Sequence, residues 1–151
     1  MKRLRGYIFS REFVGERVPQ AVQNLVLRDY CQRIGAQYLL SASEYAMHDC
    51  HLILEQLLDE LDGVDGIVAY SLFQLPSDHV ARTRAIERIL GAGKELHLAL
   101  EGFSINNKEQ IQRIDDTWRV KQTLSDCPSA EALSAYAGST IFSNKGSRCA
   151  S

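Results

Sequence analysis

Short apolar runs alternate along this chain with longer stretches of helical period, and that alternation restricts it to one fold class. Leu4 to Ser10, Gln37 to Ala42 and Val64 to Ser71 are each short and apolar, and Glu95 to Glu101 alternates polar with apolar residues. Such runs suit buried strands. Between them the spacing changes to three and four. After Pro19, the residues Ala21, Val22, Leu25, Val26, Asp29 and Tyr30 predict a helix that ends near Gly35. Cys50 to Leu61 carries Leu54, Leu57, Leu58 and Leu61 on one stripe. Asp78 to Leu90, capped by Ser77, does the same with Val80, Ala81, Ile86, Ile89 and Leu90. A last helix from Asn107 through Thr123 carries Ile111, Ile114 and Trp118, with Leu124 beyond them. Strand and helix in alternation imply βαβ units, whose right-handed crossovers make the strands parallel. The expected fold is a three-layer α/β domain with a mostly parallel sheet of about four strands. Glu95 to Glu101 is expected to be its more exposed outer strand.

With 151 residues the chain has the length of one domain, placed at residues 1–125. Residues 126–151, rich in Ser and Ala with Pro128, Gly138 and Gly146, read as a loosely attached polar tail. A net charge of −2 supplies no general attraction for a polyanion, so DNA is not an expected partner. No apolar run approaches the roughly 20 residues that span a bilayer, which predicts a cytoplasmic protein with no membrane partner. Cys31, Cys50, Cys127 and Cys149 form no CxxC pair, so free thiols are expected, with Cys31 and Cys50 packed on helices. His48 and His51 have no matching second cluster, and neither a GxGxxG loop nor a P-loop is present. Neither a metal nor a cofactor is expected.

Parallel sheets bind ligands beyond the carboxyl ends of their strands, and that rule selects the candidate site. Ser10 ends the first strand and is the candidate nucleophile, with Arg11 beside it to neutralise an anion. Ser41, Ser43, Glu44 and Tyr45 follow the second strand as one short polar loop suited to a sugar or ribose. The same residues also suit a helix cap. Glu44 and Glu101 are candidates for acid and base work. Tyr70, Ser71 and Gln74 complete the ligand-binding rim. His97 alternates with Leu96 and Leu98, which places it on the less buried strand face. Arg82, Arg84 and Arg88 read as a solvated basic helix face.

Several separated blocks carry a resemblance to a known group. Arg5-Gly6-Tyr7, Pro19-Gln20 with Gln23-Asn24, Arg28-Asp29-Tyr30, Ser41-Ala42-Ser43-Glu44-Tyr45, Asp65-Gly66-Ile67-Val68 and Tyr70-Ser71-Leu72-Phe73-Gln74-Leu75-Pro76 together resemble the bacterial sporadic carbohydrate cluster proteins. That likeness implies a setting among genes for surface polysaccharides such as lipopolysaccharide O-chains. The expectation is a small enzyme or accessory protein that acts on, or binds, a sugar nucleotide or phosphosugar.

Gly6-Tyr7-Ile8-Phe9-Ser10 also resembles the opening strand of the serine recombinase (resolvase) catalytic domain, which ends in the nucleophilic serine. The family has an arginine two residues before that serine, where this chain has Ile8. It ends its third strand in an arginine-bearing pattern, where this chain reads Leu72-Phe73-Gln74-Leu75-Pro76-Ser77. The likeness implies a resolvase-like fold without recombinase activity. On that basis the alternative function is a non-catalytic domain for protein assembly or regulation, with a homodimer through the C-terminal helix.

Overall fold

A computed structural model describes residues 1–126. Two compact units divide the chain, Met1–Trp118 and Arg119–Ser151. The first contains the sheet. Its elements are β1 (Arg3–Phe9), α1 (Gln20–Arg33), β2 (Gln37–Glu44), α2 (Leu52–Asp59), β3 (Gly66–Ala69), α3 (His79–Gly91), β4 (Glu95–Leu98) and β5 (Phe103–Ile105). The last helix, α4 (Glu109–Asp126), begins in this unit. Leu61–Gly63 and Leu72–Gln74 are single 3-10 turns.

The strands lie in the order β2-β1-β3-β4-β5, parallel except for β5, which runs antiparallel beside β4. From β1 the chain steps one way to β2 and then the other way to β3, so strand order reverses at the carboxyl ends of β1 and β3. That is where sheets of this kind open a crevice. Gly66 allows the closest strand approach. A Cβ there would strike the Glu95 carbonyl oxygen of β4, so residue 66 must lack a side chain for β3 and β4 to pair.

One face of the sheet carries the larger core, in which Leu54, Leu57 and Leu58 of α2, Ile86 and Ile89 of α3, and Ile111, Ile114 and Trp118 of α4 meet Tyr7, Ile67 and Leu96. The other face is packed, among the described residues, by α1 alone, through Leu27, Tyr30 and Cys31 against Leu4, Ile8 and Val68. The leucine stripe of α2 is as expected, although the helix starts at Leu52, after Cys50.

Elsewhere the structure corrects the expectations. The buried stripe of α1 is Gln23, Leu27, Tyr30 and Cys31, rotated from the expected one, and Val22 and Leu25 are exposed. A buried amide, Gln23, takes an inward position that an apolar reading would not assign to it. α3 is capped by Asp78, whose carboxylate accepts from the Ala81 amide at 2.8 Å, and not by Ser77. Val80 and Ala81 face out, and Arg82 is buried. Its guanidinium bonds Asp115 at 2.9 Å and the carbonyls of Pro76 and Ser77, and lies over the Trp118 ring.

The strand expected at the exposed edge is interior, because β5 follows β4 through Gly102 (φ +71°) and pairs beside it. His97 is consequently 4% exposed. The expected loop from Ser41 to Glu44 is instead the second half of β2, paired in register with Gly6 to Phe9. Leu124 is exposed, so it is not part of the apolar stripe of α4. The polar tail and two of the cysteines, Cys127 and Cys149, lie outside the described residues. No helix among the described residues is long and apolar enough to cross a membrane.

Candidate functional site

The carboxyl edge of the sheet gathers most of the residues singled out from the sequence, and their partners are mainly backbone groups. Ser10, one residue past β1, donates its hydroxyl to the Glu44 carbonyl oxygen at 2.6 Å. A backbone carbonyl cannot take that proton, so the bond ties the ends of β1 and β2 together without making the oxygen a better nucleophile. Arg11 donates Nη1 to the carbonyls of Tyr45, Met47 and Cys50 at 3.0, 2.9 and 2.7 Å, with its guanidinium 4.2 Å over the Phe9 ring. It thereby fastens the loop between β2 and α2.

Glu44 is 1% exposed. Its carboxylate accepts from the Tyr7 hydroxyl at 3.0 Å and from the amides of Tyr45, Ile53 and Leu54 at 3.1 to 3.2 Å. Ile53 and Leu54 belong to the first turn of α2, whose capping residue His51 offers no side-chain bond. Glu44 therefore satisfies open helix amides from the neighbouring strand and sets a negative charge at the positive end of the helix dipole.

Because Tyr7 donates its hydroxyl hydrogen to Glu44, the Tyr7 oxygen accepts from His51 Nδ1 at 3.2 Å, which leaves Nε2 of His51 as a lone-pair acceptor. Burial, reinforced by Arg11, lowers the His51 pKa and favours the neutral ring. Burial, followed by the adjacent Glu44 charge, raises the Tyr7 pKa, so its phenol keeps its proton.

Glu101, beyond β4, accepts from the Ser71 hydroxyl at 2.7 Å and from the Leu72 amide at 3.1 Å. Gln74 accepts from the Tyr70 amide and donates to Gln23 Oε1 at 2.7 Å. Gln23 in turn bonds both backbone groups of Phe9. Phe13 meets the Tyr70 ring edge-on with centroids 5.8 Å apart. The crevice between β1 and β3 is thus filled by the protein's own side chains.

Strand order separates the two candidate acid-base carboxylates. The ends of β2 and β4 lie three strand spacings apart, roughly 14 Å, and Glu44 and Glu101 share no partner. Ser41 and Ser43 lie within β2, paired with β1, and the Ser43 hydroxyl is buried without a partner among the described residues. Tyr45 is half exposed beside the loop that Arg11 fastens.

A shallow cavity of about 320 Å³ remains open at this edge, lined by Ser10, Arg11, Glu12, Arg17, Ala46 and His48. Arg17 makes no ion pair among the described residues, and His48 pairs with Asp49 at 2.8 Å on the surface. Sequence reasoning missed Arg17, and it met Gln23 only within a resemblance block, with no role at the site. Both sit between recognisable elements or on a helix face, and neither carries a motif. No group of three or more metal-ligating side chains is found among the described residues.

No family model matches the sequence, and no curated protein matches it. The carbohydrate-cluster likeness therefore rests on the sequence blocks alone. Solved structures do match. The N-terminal catalytic domain of TP901-1 integrase aligns with a TM-score of 0.56 at 12% identity, covering 80% of this chain and 98% of that one. A resolvase family site-specific recombinase from Streptococcus pneumoniae aligns at 0.57 and 9% identity, covering 93% and 99%. The C-terminal catalytic domain of ISC1926 TnpA, an IS607-like serine recombinase, aligns at 0.50 and 14% identity, again covering 93% and 99%. At these identities the likeness concerns fold alone, and the chain has the α/β fold of the resolvase catalytic domain.

Proposed function

We propose that this chain is a non-catalytic resolvase-fold domain that works by associating with protein, in assembly or regulation, and that Ser10 carries no strand-transfer chemistry. The observation that carries this reading is the bond from the Ser10 hydroxyl to the Glu44 carbonyl at 2.6 Å. Among the described residues no imidazole or carboxylate oxygen is bonded to that hydroxyl, and the nearby guanidinium of Arg11 is occupied with loop carbonyls. Phosphoryl transfer depends on positive groups arranged around the phosphate. Ile8, where the recombinase strand has arginine, is buried in the core. For association, α4 offers Val120 and Leu124, exposed and four residues apart on one side of the helix. The expected partner through that helix is a second copy of the chain.

The test has two arms. Incubation with supercoiled plasmid followed by denaturing electrophoresis should yield no covalent protein–DNA species, and light scattering at micromolar concentration should give a dimer that Leu124→Lys dissociates. A covalent adduct lost in Ser10→Ala, or a monomeric mass for the unaltered chain, would overturn the reading.

A second reading keeps the sugar nucleotide or phosphosugar as ligand. It is favoured by the 320 Å³ cavity, where Arg17, which makes no ion pair among the described residues, presents a cation suited to a phosphate. A ligand at a hundred times its Kd stabilises the native state by about 2.7 kcal/mol, a midpoint rise of roughly 8 °C for a chain of this size. UDP-glucose and glucose 1-phosphate are the probes. Loss of the rise in Arg17→Ala places the ligand there, and no rise with either probe removes this reading.

A further inference from the structure

The amino edge of the sheet, opposite the site described above, holds a second cavity and a chain of buried polar groups with no evident part in folding the strands. Among the described residues only α1 packs on its face of the sheet, and none of the helices lies over β4 and β5 there. A cavity of about 480 Å³ lies in that gap, within the usual range for small-molecule sites. It is lined by Lys2, Tyr30, Ile34, Ala36, Glu95, His97, Ser104 and Asn106 among others.

The hydrogen bonds in its wall fix the direction in which each group works. Glu95 receives Lys2 Nζ at 2.8 Å and His97 Nε2 at 3.1 Å. A carboxylate only accepts, so Nε2 carries the imidazole hydrogen and Nδ1 offers its lone pair. Tyr30 must then donate its hydroxyl to Nδ1, at 3.0 Å. This chain leaves the Tyr30 oxygen able only to accept from anything in the cavity. Burial lowers the His97 pKa against the pull of Glu95, so the ring is neutral and this arrangement holds near pH 7.

Across the cavity the complementary groups are donors. Asn106 Oδ1 accepts from Asn107 Nδ2, which leaves the side-chain nitrogen Nδ2 of Asn106 without a partner among the described residues. Ser104, opposite His97 in the β4–β5 pairing, makes no side-chain hydrogen bond among them either. Lys2 and Glu95 neutralise each other, so the lining side chains carry no net charge with which to select an ion. Ile34 and Ala36 add an apolar wall.

We propose that this cavity is a binding site for an uncharged small molecule that donates a hydrogen bond to Tyr30, accepts one from Asn106 Nδ2, and lays an apolar edge against Ile34 and Ala36. His97 acts there as a positioning residue, since it sets the direction of the Tyr30 hydroxyl.

The site is tested with the ¹⁵N-labelled full chain, titrated separately with methyl α-glucoside and nicotinamide as uncharged probes, and with acetate and inorganic phosphate as charged ones. At least one uncharged probe should shift the Ser104 and Asn106 amides saturably in the millimolar range, and neither anion should. Tyr30→Phe and Asn106→Ala should each raise that Kd about fivefold, the weight of one hydrogen bond. Asn106 is exposed, so its variant folds and decides the question alone if Tyr30→Phe does not fold. Absence of saturation by both uncharged probes, saturation of the same amides by an anion, or an unchanged Kd in Asn106→Ala would each overturn the proposal.

Discussion

Replacing Glu44 by Gln separates a carboxylate that holds the fold from one that performs chemistry. The native carboxylate accepts from the Tyr7 hydroxyl and from the amides of Tyr45, Ile53 and Leu54, at 1% exposure. Hydrogen bonds to a charged acceptor are each worth roughly 1.5–3 kcal/mol, and a buried donor left without its partner costs a further 1–3 kcal/mol. The glutamine keeps one acceptor oxygen and turns an NH2 group toward donors, and it removes the charge at the start of α2, worth up to about 1 kcal/mol.

These terms overlap, so the expected net loss is about 3 kcal/mol, a large part of the 5–15 kcal/mol that holds a domain. In urea, with a slope of about 1.5 kcal/mol per molar, the unfolding midpoint should fall by about 2 M at unchanged slope. Tyr7→Phe should cost about 1 kcal/mol. The double variant should cost less than the sum, because the two groups share a bond. A midpoint shift below about 0.3 M for Glu44→Gln, or strict additivity with Tyr7→Phe, would refute the structural role given to this carboxylate.

The pH dependence of stability has a fixed sign. His51 and His97 have lowered pKa values in the fold, chiefly through burial. Below about pH 6.5 the unfolded chain therefore takes up protons that the folded chain resists. Stability is full above that value and falls as pH drops through the folded pKa values, by no more than about 1 kcal/mol per pH unit for each ring after allowing for solvent. Below the usual carboxylate range Glu95, whose pKa is lowered by its bond to Lys2, and Asp65, whose pKa is lowered by the Arg3 amide, continue the loss in the same direction. Urea midpoints measured between pH 8 and 4 check this, and a midpoint that rises on acidification contradicts it. Arg82→Ala leaves Asp115 with only the exposed His79 ring at 3.2 Å and should cost about 3 kcal/mol, whereas Arg84→Ala, on a long exposed ion pair, should cost almost nothing in the same assay. Burial pushes the Cys31 thiol up to about 11, so iodoacetamide mapped by mass spectrometry at pH 8 should modify half-buried Cys50 well before Cys31.

The βαβ alternation was legible because buried strands and amphipathic helices leave different periods in the sequence, and the strand-end rule then placed Ser10, Glu44, Tyr70 and Glu101 at one edge of the sheet. What the sequence hid was pairing across distance. Gln23 and Gln74 bond each other 51 positions apart, and Arg82 finds Asp115 33 positions away. Neither partner is marked by local composition. β5 is three residues long, too short to show a period, and missing it misplaced His97 by making β4 appear to be an edge. The run Ser41 to Glu44 looks like a polar loop because its serines belong to the outermost parallel strand, where polar residues are tolerated. The double reading of Glu44, as reactive acid or as helix cap, could not be resolved before α2 was placed next to the end of β2.

The central claim, that the Ser10 hydroxyl is held for structure and is not a nucleophile, is tested most directly by exposing the intact protein to a fluorophosphonate and measuring its mass and the site of any adduct. An unmodified Ser10 peptide is expected, with the hydroxyl still donated to Glu44. Stoichiometric phosphonylation of Ser10 in the folded protein, abolished in Ser10→Ala, would contradict it.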